Sequence, residues 1–130
     1  MQSFIKQNFR WIAGGFALTY FSSFGQTYFI SASIAEWQAM FDLSHGEFGR
    51  LYMYATLGSA ACLPLLGRLV DHIAADKMIA FVVPVLAGAT LLAGFATSLT
   101  LLVFAIFLLR LFGQGMMTHM ALTATGRWFH

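Results

Sequence analysis

Residues 101–122, LLVFAIFLLRLFGQGMMTHMAL, decide the fold class of this chain. The stretch is apolar over about the 20 residues that an α-helix needs to cross the hydrocarbon core of a bilayer. Its one charged residue, Arg110, lies roughly 15 Å into such a helix and therefore near the bilayer midplane. A charge at that depth is costly in lipid, so we expect Arg110 to face a bundle interior or an aqueous cavity. A structural arginine that bonds backbone carbonyls of a neighbouring helix is the alternative to a role in a substrate pathway.

Three further apolar stretches precede it, at residues 11–34, 51–66 and 78–97. Such segments must be helical in a membrane, because lipid offers no hydrogen-bond partner to an exposed backbone. The sequence therefore predicts an all-α, polytopic membrane bundle of about four transmembrane helices within residues 1–130. The short link at 98–100 predicts that the third and fourth helices are antiparallel neighbours.

The overall composition agrees with this class, since 59% of residues are hydrophobic and 9% are charged, against roughly a quarter charged in soluble domains. No basic stripe or stacking platform accompanies the net charge of +2. The expected partner is thus the lipid bilayer and not nucleic acid. The single Cys62 excludes a disulfide framework within this sequence. We expect no enzyme activity, cofactor or metal site, because neither a carboxylate pair nor a metal-ligand spacing is visible.

The positions of Lys and Arg predict the orientation, because cytoplasmic loops retain these residues. With a cytoplasmic N-terminus, five of the flanking cations lie inside: Lys6, Arg10, Arg68, Lys77 and Arg127. Arg50 then lies on the opposite side. The sequence predicts a multi-pass protein of the plasma (cytoplasmic or inner) membrane with its N-terminus in the cytoplasm.

Polar and small residues gather on one side of the fourth predicted helix. At 100° per residue, four residues share a side with Arg110: Gly113, Gln114, Met117 and Ala121. His119 points to the opposite side, where a packed or hydrogen-bonded histidine at a helix interface is expected.

The first predicted helix carries a second polar stripe, formed by Thr19, Ser22, Ser23, Gln26 and Ser33. We interpret these two stripes as a substrate pathway, with Arg110 supplying positive charge. Its hydrogen-bonding groups would be Gln26, Gln114 and Thr19. Hydrogen bonding between helices is the alternative for the hydroxyl groups.

The tripeptide Phe-Gly-Gln occurs at 24–26 and again at 112–114, in the first and fourth predicted helices. These helices would correspond to each other in a transporter built from inverted repeats. A chain of this length also repeats some tripeptide by chance, so the match alone decides nothing.

The segment GRLVDHIAADK at 67–77 lies between the second and third predicted helices. It resembles the cytoplasmic signature of the major facilitator superfamily of transporters, Gly-x-Leu-x-Asp-Arg-x-Gly-Arg-Arg, with matches at Gly67, Leu69 and Asp71. His72 replaces the usual basic residue. The resemblance implies a conformational gating role for these four residues, in which the aspartate helps to hold two six-helix halves together. A solvated loop with positive-inside residues is the alternative.

The segment RLFGQG at 110–115 is similar to the fourth-helix motif of that superfamily, an arginine followed by glycines. Together with GRWF at 126–129 it resembles the branch that contains oxalate/formate and monocarboxylate carriers. The resemblance implies a twelve-helix fold in which this sequence is a partial N-terminal transmembrane domain. The remaining transmembrane helices of the full-length transporter would then be its partners.

The sequence thus predicts secondary active transport of a small polar or anionic solute by alternating access. One alternative is a complete four-helix transporter that works as a dimer, although such exporters use an acidic residue within the first helix and Glu36 lies at the outer end of residues 11–34. The other alternative is a membrane-embedded structural or assembly subunit that transports nothing.

Overall fold

The computed structural model describes residues 1–129, and its regular elements are helical. In chain order they are α1 (Gln2–Phe21), a 3-10 turn (Ser22–Gly25), α2 (Thr27–Phe41), α3 (His45–His72), α4 (Ala75–Gly94), α5 (Leu99–Leu108), a π-helical segment (Leu109–Met117) and α6 (Thr118–Trp128). The last three elements run on without a break as one rod, Leu99–Trp128, which we call the long rod. Helices α3 and α4 and the long rod are each long and apolar enough to cross a membrane. The all-α prediction is confirmed.

The first predicted helix differs from the structure, because it is broken at Gln26, whose backbone is extended at φ −77° and ψ 154°. Its local sequence makes the break inexpensive. The hydroxyl of Ser22 donates to the carbonyl of Thr19 at 2.6 Å, and serine hydroxyls that bond the backbone in this way compete with helical hydrogen bonds. Residues 11–34 therefore form two helices joined by a turn.

Helix α3 is longer at both ends than the predicted 51–66. It begins with a capping box, in which Ser44 Oγ accepts from the Glu47 N–H at 3.2 Å and Glu47 Oε2 accepts from the Ser44 N–H at 2.8 Å. At its other end the helix continues to His72. The residues from Gly67 to His72, predicted to lie in a turn, are thus helical.

Helix α4 begins three residues earlier than the predicted 78–97, at Ala75, and ends at Gly94. Ser98 then caps the long rod, because its Oγ accepts a hydrogen bond from the Leu101 N–H at 3.3 Å. Helix α4 packs against α5 directly after this short link. The predicted neighbours are therefore confirmed.

The long rod lies at the centre of the bundle, where it packs against α1, the 3-10 turn, α3 and α4. Many of its large side chains are buried, including Leu102, Ile106, Leu109, Met116 and Met120. The outer helices instead expose large apolar side chains, such as Phe16, Leu57 and Leu91. This distribution suits a lipid surround, since lipid accepts apolar side chains as readily as a protein interior does.

Helix α1, the 3-10 turn and α2 together form an interrupted rod, which we call the first rod. At Gly25 and Gly113 its break and the long rod approach each other closely. A Cβ atom on Gly25 would lie 2.7 Å from Gly113 Cα and 2.6 Å from the Gln114 nitrogen, and it would also collide with the Leu109 carbonyl oxygen. All three obstacles are backbone atoms, which cannot rotate away. The crossing therefore requires glycine on both sides.

We predict that Gly25→Ala and Gly113→Ala each lower the free energy of unfolding by about 1–3 kcal/mol or more, since 1–3 kcal/mol is the usual cost of overpacking a well-packed core. The matched control is Gly88→Ala on α4, where an added Cβ meets nothing within 4 Å. Alanine there gains roughly 1 kcal/mol of helix propensity or has no effect. Thermal unfolding in mild detergent measures both changes, and equal midpoints for Gly25→Ala and Gly88→Ala would contradict the crossing.

Candidate functional site

The guanidinium of Arg110 contacts both the first rod, at its break, and helix α3. Its Nη1 donates to the Gly25 carbonyl oxygen at 3.4 Å and to Thr27 Oγ1 at 3.2 Å. Its Cζ lies 5.5 Å from the ring centroid of Tyr52, within the range of a cation–π interaction. The Tyr52 hydroxyl lies 3.4 Å from Thr27 Oγ1. We call Arg110, Gly25, Thr27 and Tyr52 the Arg110 cluster.

The cluster has a positive electrostatic character. The three partners of Arg110 are a carbonyl, a hydroxyl and a ring, all neutral, so they do not compensate its charge. Helix α2 also begins here at Thr27, and its N-cap residue Gln26 provides no side-chain hydrogen bond to the first turn. A helix N-terminus carries roughly half a positive charge. Two positive features therefore meet at one depth, about 17 Å along the long rod from Leu99.

The π-helical segment changes which side chains accompany Arg110. A π-helix bonds residue i to i+5 and so turns less per residue than the α-helix assumed in the sequence analysis. Gln114 and Gly115 lie beside Arg110 along a shared cleft, whereas Gly113 faces Gly25 and Met117 is buried with 1% of its surface exposed. The residues predicted to share one side of the helix therefore face two directions: Gln114 faces the polar cleft with Arg110, and Gly113 faces Gly25.

A cleft of about 280 Å³ lies between α3 and the π-helical segment, and we call it the polar cleft. Its polar lining comes from Thr56, Ser59, Arg110 and Gln114. Within residues 1–129, the buried atoms Thr56 Oγ1 and Gln114 Oε1 have no hydrogen-bond partner. Leaving such atoms unpaired costs about 1–3 kcal/mol each. Because each oxygen is itself buried, a water or ligand in the cleft reaches it only after the lining side chains move.

Two more clefts continue this one along α3. The upper cleft, about 250 Å³, lies between α2 and α3 and is lined by Thr27 and Tyr52 of the Arg110 cluster and by His45 and Gln38. The lower cleft, about 410 Å³, is lined by residues that include Gly67, Arg68, Asp71 and His119. It shares Ala60 and Leu63 with the polar cleft. Arg110 thus lies between the upper cleft on one side and the polar and lower clefts on the other.

The four predicted pathway residues have different positions. Arg110 and Gln114 line the polar cleft. Gln26 is half-buried at the break itself, where its carbonyl accepts from the Ile30 N–H at 3.2 Å. Thr19 is exposed on α1, and its hydroxyl donates to the Gly15 carbonyl at 3.0 Å. Thr19 lines none of the three clefts described for residues 1–129.

The four predicted gating residues all lie in the last turns of α3. Gly67 and Asp71 line the lower cleft, and Leu69 and His72 do not. Leu69, Asp71 and His72 are all exposed. The carbonyl oxygen of Asp71 accepts from Arg127 Nη2 at 2.8 Å, which ties the end of α3 to the end of the long rod. His72 Nδ1 lies 2.7 Å from the Arg68 carbonyl oxygen.

Four residues of the site were not predicted from the sequence: Thr27, Tyr52, Thr56 and Ser59. Thr56 and Ser59 follow each other at helical spacing in an otherwise apolar span, and that signal was available. Thr27 and Tyr52 gave no such signal, because their role depends on the break at Gln26. Across the described part of the chain, no group of three His, Cys, Asp or Glu side chains is placed to bind a metal ion.

Comparison with known protein families, with curated proteins and with solved structures found no match. The geometry therefore has to support any functional conclusion by itself.

The π-helical register is testable by cysteine labelling in a Cys62→Ser background, since Cys62 is the one cysteine within residues 1–130. We predict that Gln114→Cys reacts with a water-soluble maleimide, because position 114 lines the polar cleft. Met117→Cys should be unreactive, because Met117 is buried. An α-helical register would place both positions beside Arg110 and give them similar labelling rates.

Leu122→Cys is the control for this experiment, because Leu122 is 71% exposed on the apolar surface. A residue that faces lipid is exposed but not hydrated, so a charged maleimide should leave it unmodified. Equal labelling at positions 114, 117 and 122 would contradict the proposed hydrated cleft.

Proposed function

We propose that this chain is part of a secondary active transporter that carries a small anionic solute across a membrane by alternating access. The observation that carries the proposal is the Arg110 cluster, in which a guanidinium at mid-depth adjoins the N-terminus of α2. An arginine placed in hydrocarbon costs roughly 2.5–3.5 kcal/mol or more, and such residues commonly mark ion or substrate pathways.

The chemistry of the cluster favours a carboxylate as the solute group. Both hydrogen bonds of Arg110 come from Nη1, so the planar guanidinium retains donors for a carboxylate. The first-turn N–H groups of α2 lack helical acceptors and are further donors for an anion. Broken helices whose N-termini point at an anionic substrate are a recurring feature of transporter binding sites.

The three clefts support a pathway. The upper cleft reaches the Arg110 cluster through Thr27 and Tyr52, and the polar and lower clefts continue from Arg110 through Ala60 and Leu63. The lower end carries Arg68, Lys77 and Arg127, so we place it in the cytoplasm.

We further propose that the chain belongs to a transporter of the major facilitator type, as an N-terminal portion of its twelve helices. The signature at 67–77 supports this proposal. The hydrogen bond from Arg127 to the Asp71 carbonyl, at 2.8 Å, joins two elements that frame the lower cleft. A rearrangement of this junction would open or close that cleft, which is the gating role we assign to Gly67, Leu69, Asp71 and His72.

A non-transporting assembly subunit is the second candidate. It is favoured by the hydroxyls of the first rod, because Thr19, Ser22 and Ser31 donate to carbonyl oxygens of nearby residues and not to a cavity. Arg110, Thr56 and Gln114 differ from these hydroxyl residues, because all three line the polar cleft. Solute flux in a reconstituted system separates the two candidates.

The test is uptake of radiolabelled formate, lactate and oxalate into liposomes that contain the full-length gene product. We predict that Arg110→Ala lowers uptake at limiting solute by about 10- to 100-fold, since a hydrogen bond to a charged group is worth roughly 1.5–3 kcal/mol. Arg110→Lys should retain part of the activity, because it keeps the charge and loses the planar fork.

Arg10→Ala is the matched control, because Arg10 is exposed on α1 and its removal deletes one cation outside the clefts. Tyr52→Phe keeps the aromatic ring and removes the hydroxyl, so it tests the cluster even if Arg110→Ala unfolds. Unchanged uptake of every anion by Arg110→Ala would refute the pathway, and zero uptake by the unmodified protein would favour the assembly subunit.

A further inference from the structure

An apolar groove of about 520 Å³ lies between α3 and the first turns of the long rod. Its walls are Leu51 and Tyr54 on α3 and Val103 and Phe104 on the long rod, and the buried Ala55 lines it as well. Among residues 1–129, the groove shares no lining residue with the upper, polar or lower cleft. It is therefore a separate feature that the proposed pathway does not use.

The groove extends over about one leaflet of a bilayer. Its lining runs along the long rod from Leu99 to Phe107, which is about 12 Å of helix, and half of the hydrocarbon core measures roughly 15 Å. At Phe107 the long rod lies close to α3, because a Cβ atom on Gly58 would meet the Phe107 ring at 3.4 Å. A membrane-crossing helix packed here would need a contact surface of about 30 Å, and such surfaces are rich in small residues. The dimensions of the groove thus fit an acyl chain of one leaflet better than a helix.

A smaller cleft of about 260 Å³ continues the groove at the upper end of the bundle, and we call it the charged rim. The groove and the charged rim share Leu51, Tyr54 and Leu99. The charged rim adds Glu47 and Arg50, which are both exposed on α3. Side chains three residues apart lie on the same face of a helix. The apolar groove therefore ends beside one carboxylate and one guanidinium.

The charged rim lies at the depth of the phospholipid headgroups. Helix α3 has 28 residues and measures about 42 Å, so a centred helix extends about 6 Å beyond each side of the hydrocarbon core. Arg50 lies about 8 Å from the start of α3 at His45, close to this boundary. Its long side chain can keep the guanidinium at the interface. Glu47 is held in place by its capping box with Ser44.

We propose that the groove and the charged rim bind one zwitterionic phospholipid of the leaflet at the upper end. One acyl chain fills the groove, the phosphate contacts the guanidinium of Arg50, and the positive group of the headgroup lies beside the carboxylate of Glu47. A guanidinium pairs with phosphate oxygens through parallel hydrogen bonds. An anionic headgroup offers no positive group to Glu47 and is repelled by it. This site is independent of the proposed transport function.

The experiment titrates the full-length gene product in mild detergent with dioleoyl phosphatidylcholine and counts the bound lipids by native mass spectrometry. Thr100→Trp places a large ring in the groove, whereas the control Leu101→Trp adds the same ring at a neighbouring position outside its lining. We expect the unmodified protein and Leu101→Trp to bind one phosphatidylcholine saturably and Thr100→Trp to lose this binding. The difference between the two tryptophan variants measures the groove separately from other lipid contacts.

Two further variants test the charged rim, with dioleoyl phosphatidylglycerol as an anionic probe that has the same acyl chains. Arg50→Gln should weaken the groove-dependent binding of phosphatidylcholine about two- to fivefold, the range of an exposed charge pair. Glu47→Gln keeps the capping box, in which glutamine can replace glutamate, and should abolish the preference for phosphatidylcholine over phosphatidylglycerol. Arg10→Gln is the matched control, because Arg10 is an exposed cation on α1 outside the charged rim. It should change neither affinity.

Photo-crosslinking identifies the occupant of the groove in a membrane. The photoreactive p-benzoylphenylalanine replaces Phe104 in the groove or, as the control, Leu91, which is 62% exposed on α4 near its upper end. In vesicles with equal amounts of the two lipids, position 104 should give a phospholipid adduct enriched at least about twofold in phosphatidylcholine relative to position 91. A crosslink from position 104 to another segment of the chain or to a second copy shows a protein occupant and overturns the inference.

The other contrary results are equally definite. Equal binding by the two tryptophan variants rules out the groove, and unchanged lipid preference in both Arg50→Gln and Glu47→Gln rules out the charged rim. If Thr100→Trp does not fold, the crosslink at position 104 and the two rim variants decide. Solute uptake is measured separately, so failure of the lipid site leaves the transport proposal standing.

Discussion

The structure depends on one backbone crossing, where the break in the first rod rests directly on the π-helical segment. A helix interrupted within a membrane leaves carbonyl and N–H groups without partners, and lipid cannot supply them. Arg110 donates to the carbonyl of Gly25 at 3.4 Å and so provides one of the missing partners. It reaches that carbonyl because Gly25 and Gly113 let the two backbones approach more closely than any pair of larger residues would. The glycines therefore permit the close approach, the approach brings Arg110 to the break, and Arg110 supplies a hydrogen-bond partner there.

The same crossing determines where the polar groups lie. The break places the N-terminus of α2 beside Arg110, whose Nη1 donates to Thr27 Oγ1 at 3.2 Å, and the π-helical segment brings Arg110 and Gln114 to the cleft beside α3. The π-helical segment and the unpaired buried oxygen Gln114 Oε1 are both costly, because π-helical turns are rare and unpaired buried polar atoms destabilise a bundle. An apolar bundle of ordinary helices would avoid these costs. Their concentration at one depth is the reason for assigning transport to this place and a gating role to the ends of α3 and the long rod.

Several features were predictable because they depend on local composition. Apolar length predicted four membrane-crossing helices, and three of them, α3, α4 and the long rod, are long and apolar enough to cross a membrane in the structure. Helix α3 extends beyond its predicted ends. Its start at Ser44 follows from a capping box with Glu47, which is readable in the sequence. Arg110 was predicted to be a functional residue from its position deep within an apolar segment alone. The repeated Phe-Gly-Gln tripeptide decided nothing in the sequence, yet its two glycines are the residues that meet in the structure.

Sequence alone determined the helical class, the three segments long and apolar enough to cross a membrane, and the presence of an arginine well inside the last of them, because hydrophobic length and the cost of burying an ion act on each segment separately. Only the tertiary structure decided that the first segment breaks at Gln26 and that the fourth contains a π-helical stretch. These choices depend on a contact between residues far apart in the chain, Gly25 and Gly113. The partners of Arg110 follow from that contact, and no helical periodicity calculated at 100° per residue could place Thr27 and Tyr52 beside it.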